Sequence, residues 1–289
     1  HPWLLYLLPL AGLAIVLLYR ACCVPAPKGT DLVISAVRSQ EKIPFRMAPL
    51  IFLSTTLTHL CGGSAGREGA ALQLGGSLGN LTGRVFRIKD DPSRHVLIMC
   101  GMSAAFSALF GTPLAATVFA MELVSVGVMY YMALVPCAVS AVAAVGLARL
   151  CGVEGEHFTP DAFPALTIAN GVRAVILAAL CAAVSVLLCF CLHKAGKLYQ
   201  KVLPNPYLRA AVGGGLVIVL TFLVGSRAYL GAGMDVIAAA VEEGSAVPYA
   251  FLLKILFTAV TLGAGFKGGE IVPTFYVGAT FGCWMGSLL

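Results

Sequence analysis

The chain has 289 residues, 59% of them hydrophobic and 11% charged, with a formal net charge of +6; its mean hydropathy is +0.92. So little polar surface cannot cover so much apolar side chain in water, which excludes a soluble domain and predicts an all-α polytopic membrane protein. The positive balance carries no nucleic-acid signal, because the basic residues sit in short connections without interleaved aromatics and read as topology signals.

In chain order, Trp3 to Tyr19 reads as a first spanning helix, stopped by Arg20, Pro25 and Pro27. Lys28-Gly29-Thr30-Asp31 opens a short helix from Leu32 to about Gln40, too short to cross a bilayer. Ala48 to Leu60 enters the membrane again and runs into Gly62–Gly79, GGSAGREGAALQLGGSLG. A charged loop, 84–94, ends in the helix-start signal Asp91-Pro92-Ser93. His95 to Phe110, Leu114 to Val126 and Val128 to Leu150 follow, with a break at Gly111-Thr112-Pro113. After a polar connection come a long helix from about Thr167 to Tyr199, basic at its end, and a span from Asn205 to Val224. A short interfacial helix, 235–243, precedes a span over 248–262, a second glycine-rich break over 263–273, and a last helix from Thr274. The basic clusters at 38–46, 84–94 and 194–209 are expected on the cytoplasmic side. The ten cysteines, including Cys137, Cys181, Cys189, Cys191 and Cys283, lie mostly in apolar runs as small hydrophobes, and no zinc spacing occurs. No metal or cofactor is expected. The chain opens on His1-Pro2 and stops within an apolar run, so it is read as a fragment.

The two broken segments carry the chemistry. Glu68 lies between Gly66-Arg67 and Gly69, at the start of a small-residue helix within apolar sequence. A helix start carries unpaired N–H groups and about half a positive charge, and attracts anions. Ionisable residues at membrane depth are costly and mark pathways. The second break repeats the pattern: glycines stand 7 and 11 residues after Glu68, and 8 and 12 after Glu270. Paired interrupted helices in corresponding positions point to an inverted-repeat transporter with its site at the midplane. The halves are then 1–150 and 151–289.

Gly66-Arg67-Glu68-Gly69, with Gln73, Gly75 and Gly76 downstream, resembles the GREGP anion-site motif of the CLC chloride channels and anion/proton antiporters. Ala70 stands where most members have proline. Gly111-Thr112-Pro113 with Phe119 and Glu122 resembles the next motif, Gly268 to Pro273 the GxFxP motif, and Lys28 to Asp31 falls at the GSGIP position. Thr30 replaces the usual serine, Glu270-Ile271 stands at the phenylalanine position, and Leu123 takes the place of the inner glutamate. A glutamate in the last motif resembles the fluoride/proton antiporter branch.

The resemblance implies a CLC-type inverted-repeat fold with re-entrant helices, a multi-pass protein of the bacterial inner membrane and a homodimer. It implies an anion held by Gly29, Thr30, Gly66, Arg67, Gly69, Ile271 and Val272, with Glu68 as gate and proton carrier and Glu270 as a second acid. The implied function is fluoride export coupled to proton import, the alternative a chloride channel or chloride/proton antiporter. An intramembrane enzyme would need a metal motif or a Ser/His pair at depth, and neither is present, so the chain is read as a non-enzyme. Structural roles stand beside the functional ones. Thr30 can be an N-cap, Glu270 an acid satisfying first-turn amides, Glu122 a hydrogen-bond partner, and His59 a packed side chain.

Overall fold

The computed structural model of the chain describes residues 2–23, 46–88, 90–124, 129–155, 158, 159, 165 and 167–289. Among the described residues there are eleven α-helices. They are α1 (Leu8–Ala21), α2 (Met47–Leu60), α3 (Glu68–Val85), α4 (Asp91–Phe110), α5 (Pro113–Val124) and α6 (Leu134–Leu150), then α7 (Ile168–Val202), α8 (Pro206–Val224), α9 (Met234–Glu242), α10 (Ala250–Gly263) and α11 (Ile271–Gly286). A 3-10 segment, Pro2–Leu7, runs into α1. Together they make Trp3–Ala21 one of five stretches among the described residues long and apolar enough to cross a membrane; the others coincide with α4, Tyr131–Leu150, α7 and α8. The short helix expected over 32–40 lies outside the described residues, as do Gly29 and Thr30.

Helix ends follow from capping chemistry. Asp90, one residue before the expected start signal, caps α4: its carboxylate accepts from Ser93 N at 3.0 Å, and Pro92 lies in the first turn, where a missing N–H costs nothing. Hydrogen bonds from the Ser93 side chain and backbone hold the Asp90 carboxyl below the usual carboxylate range. Gly111 ends α4 at φ 71°, in the left-handed region that glycine tolerates. Thr167 and Asn205 cap α7 and α8.

The contacts divide the chain into two compact units. The first holds the described residues of His1–Val16, Thr56–Gly66 and Phe158–Leu289, the second those of Leu17–Thr55 and Arg67–His157.

In the second unit α3 and α4 cross in close contact. A Cβ on Gly75 would strike the Gly101 carbonyl, one on Gly101 the Gly75 carbonyl, and one on Gly79 the Leu97 carbonyl. Small residues let helix backbones approach where lipid offers no hydrophobic drive for association. α4 is joined to α6 by hydroxyls that reach across to backbone: Ser103 Oγ donates to Cys137 O at 3.2 Å, Ser107 Oγ to Ala141 O at 2.8 Å, and Ser140 Oγ to Cys100 O at 3.0 Å.

In the first unit α7, α10 and α11 share a core of Leu188, Phe251, Ile255, Val277 and Phe281, against which Trp284 packs. α7 has 35 residues, about 52 Å of helix, more than a bilayer with its headgroups. Its basic end, Lys194, Lys197 and Lys201, is exposed. Apolar side chains cover the outer faces of α6 and α7, Val135, Val139, Val175 and Val186 among them, as a lipid-facing surface requires. The chain is a multi-pass membrane protein.

Candidate functional site

The first glycine-rich break begins where α2 ends. Gly62, at φ 80°, turns the chain, and Gly63 N bonds back to Thr58 O at 2.8 Å. Ser64 is fully buried and tied to α10: its amide donates to Thr261 Oγ1 at 3.2 Å, and its hydroxyl lies 3.1 Å from Thr258 Oγ1. Ala65 follows, also fully buried.

Gly66 and Gly269 then exchange both backbone bonds. Gly66 N donates to Gly269 O at 2.7 Å and Gly269 N to Gly66 O at 2.6 Å, an isolated antiparallel pair joining the two breaks within the first unit. Glycine is needed because the backbones come too close for side chains: a Cβ on Gly268 would collide with the Ala65 Cβ and sit 3.1 Å from Gly66 O.

Each strand of this pair leads into a helix. Arg67 is the N-cap residue of α3 at φ −99°, ψ −10°, and Glu270 that of α11 at φ −99°, ψ −9°. Neither makes a side-chain capping bond. The equivalent residues of the two breaks are therefore Arg67 and Glu270, not Glu68 and Glu270. With that register the glycine spacings agree, 75 and 79 standing 8 and 12 after Arg67, as 278 and 282 do after Glu270. The reasons for those glycines differ: Gly75 and Gly79 serve the crossing with α4, whereas nothing lies within 4 Å of a Cβ at Gly278 or Gly282.

Glu68 is the first residue of α3 and 1% exposed. The first intrahelical bond to the cap is Ala71 N to Arg67 O at 3.0 Å; in α11 it is Thr274 N to Glu270 O, also 3.0 Å. The amides between cap and first bond receive no carbonyl from their own helix. Pro273 has no amide, which leaves Ile271 and Val272 as first-turn donors in α11. Gly66, Gly69 and Val272 are buried, Ile271 is half-buried, and Arg67 and Glu270 are exposed. Glu270 makes no side-chain capping bond to its own helix. Glu122 is exposed on α5.

Sequence reasoning passed over two features. Thr258 and Thr261, three apart on the apolar α10, signal a polar face and turn out to brace Ser64. Lys254, a lone cation in the same helix, is fully buried. Its Nζ donates to Gly231 O at 2.7 Å and Tyr229 O at 3.3 Å, and lies 4.9 Å from the Tyr276 ring centre.

Two glycine-rich breaks joined backbone to backbone, each leading into a helix start, define a polytopic membrane protein with interrupted helices. A family model described as voltage gated chloride channel matches residues 11–289. The chain belongs to that family, the CLC family. It is 36% identical over 296 residues to a chloride/fluoride channel protein of Pseudomonas syringae pv. tomato, covering 100% of this chain and 65% of the relative. It is 26% identical over 251 residues to the H(+)/Cl(−) exchange transporter ClcA of Vibrio cholerae, covering 84% of this chain and 53% of that protein. The chain thus spans less than two thirds of the length of either relative. Among solved structures, a CLC-type fluoride/proton antiporter superposes with TM-score 0.92 at 33% identity, covering 99% of this chain and 72% of that one. A slow cyanobacterial Cl−/H+ antiporter gives TM-score 0.83 at 19% identity, covering 99% and 69%; it shares the fold.

Proposed function

We propose that the full-length protein moves a halide across the membrane, fluoride outward in exchange for protons, as a homodimer of two inverted halves per subunit. The reciprocal Gly66–Gly269 pair carries this reading. It ties the two breaks together through their backbones, and each break leads into a helix start whose first-turn amides take no carbonyl from their own helix. Oriented N–H groups in a low dielectric compensate the lost hydration of a small anion. In this reading Gly66, Arg67, Gly69, Ile271 and Val272 form the anion-binding set, joined by Gly29 and Thr30.

Glu68 is the gate. Buried at a helix start, its carboxylate competes with the anion for the same donors; protonated, it yields them and carries a proton. Glu270 is the second acid. The substrate assignment is supported by the 0.92 superposition on a fluoride/proton antiporter and by the 36%-identical chloride/fluoride channel protein. Similarity to ClcA favours a second reading, chloride/proton exchange on the same frame.

The test uses full-length protein in liposomes, comparing fluoride with chloride efflux while recording proton uptake. Fluoride efflux far exceeding chloride, with proton uptake that Glu68→Gln abolishes, is the expected result. Preferential chloride flux would establish the second reading. Coupling that survives Glu68→Gln would remove Glu68 from the mechanism.

A further inference from the structure

A cleft of mixed lining lies within the first unit, beginning beside the Gly66–Gly269 pair at Glu270. It encloses about 540 Å3, between α7 on one side and α10 and α11 on the other. α7 contributes Ser185, Cys189 and His193, spaced every fourth residue and therefore on one face, about 12 Å from first to last. α11 contributes Glu270 and Thr274, also four apart, from its first turn. Ser185, Cys189, His193, Glu270 and Thr274 are all exposed. Polar and ionisable side chains at membrane depth face water or protein, not lipid. A space of this size holds on the order of ten or more waters at about 30 Å3 each.

Two of its lining residues, Glu270 and His193, are an acid and an imidazole, and they set its use. Glu270 stands at the start of α11 and His193 two turns along α7 from Ser185. Cys189 is the other titratable group facing the cleft, and α10 lines it with Leu262 and Gly263, which carry none. Lys194, next to His193, lines a different, apolar groove, its Nζ 5.3 Å from the centre of the Phe190 ring; Lys197 stands one turn further on. Imidazole is the side chain suited to take and give protons between about pH 5 and 8.

We propose that this cleft is a water-filled proton route in which His193 exchanges protons with Glu270. The Glu270 carboxylic acid gives its proton to a cleft water as that water passes a proton to the neutral imidazole of His193. The imidazolium then releases its N–H proton to water at the cleft mouth, which restores the neutral imidazole. No bond other than these N–H and O–H bonds changes. The inference rests on the proton-coupled reading given above and extends it to a residue outside the anion-binding set.

Full-length protein in liposomes tests it, with a fluoride gradient driving proton uptake. His193→Gln lowers coupled transport by on the order of a hundredfold and flattens its rise with falling pH, while fluoride affinity measured by titration stays that of the parent. His193→Gly regains rate when imidazole is added to the buffer, which a purely structural role would not produce. Independently of transport, Cys189 in the parent reacts with a membrane-impermeant thiol reagent, read by mass spectrometry. If Cys189 stays unmodified, the cleft is dry and the inference fails. If His193→Gln matches the parent in rate and pH profile, it fails as well. A parent that moves fluoride without protons defeats the functional reading itself and the inference with it.

Discussion

Replacing Gly268 by alanine inserts one methyl group where the two breaks touch. The new Cβ would overlap the Ala65 Cβ and press to 3.1 Å on Gly66 O. Carbon atoms rest at about 3.5–4 Å, so the segments must part by about 1 Å. The Gly66–Gly269 bonds, at 2.7 and 2.6 Å, do not survive that separation. Two buried backbone bonds lost at about 1 kcal/mol each, with overpacking of about 1–3 kcal/mol, give a destabilisation of about 3–5 kcal/mol. The assay is the rate of thermal inactivation in detergent beside fluoride affinity. Gly268→Ala inactivates faster and binds fluoride more weakly. Ala65→Gly in the same chain removes the atom it strikes, and the double variant recovers most of the loss. A single variant indistinguishable from the parent would refute the reasoning, and so would a double variant no better than the single.

Lys254→Met leaves the buried Tyr229 carbonyl and the partly buried Gly231 carbonyl without their ammonium donor. At about 1–3 kcal/mol per orphaned group, offset by relief of the lysine's own desolvation, a net loss of about 2–4 kcal/mol is expected. A melting temperature equal to or above the parent's would contradict it. Asp90 gives a pH test at an exposed site. Its carboxyl is depressed in the folded chain by Ser93, so its contribution is present above the ordinary carboxylate range and disappears as pH falls through the depressed value. The start of α4 should therefore fray on acidification, seen as faster hydrogen exchange at the Ser93 amide once corrected for intrinsic rate. In Asp90→Ala, exchange should be fast throughout and lack that transition.

Much of this protein is set by local chemistry and was legible in the chain. Contiguous apolar runs of membrane length fix which segments are helices, and proline at first turns, glycine after last turns and caps such as Thr167 and Asn205, each acting within four residues, fix where they start and stop. The two breaks were legible too: no helix continues through 62–66 or 263–269, and an acid beside each is costly in lipid.

Tertiary structure decided what depends on residues far apart. Only the fold could pair Gly66 with Gly269, bring Ser64 onto Thr258 and Thr261, and give Lys254 its carbonyls, because those partners lie far apart in the chain, from 23 positions for Lys254 and Gly231 to 197 for Ser64 and Thr261 and further still for the glycine pair, and no local pattern encodes them. The register of the repeat was decided there as well. Counting from each glutamate misaligned the halves by one residue, whereas backbone angles matched Arg67 with Glu270, because an N-cap is defined by where the helical hydrogen bonds begin and not by which side chain carries charge.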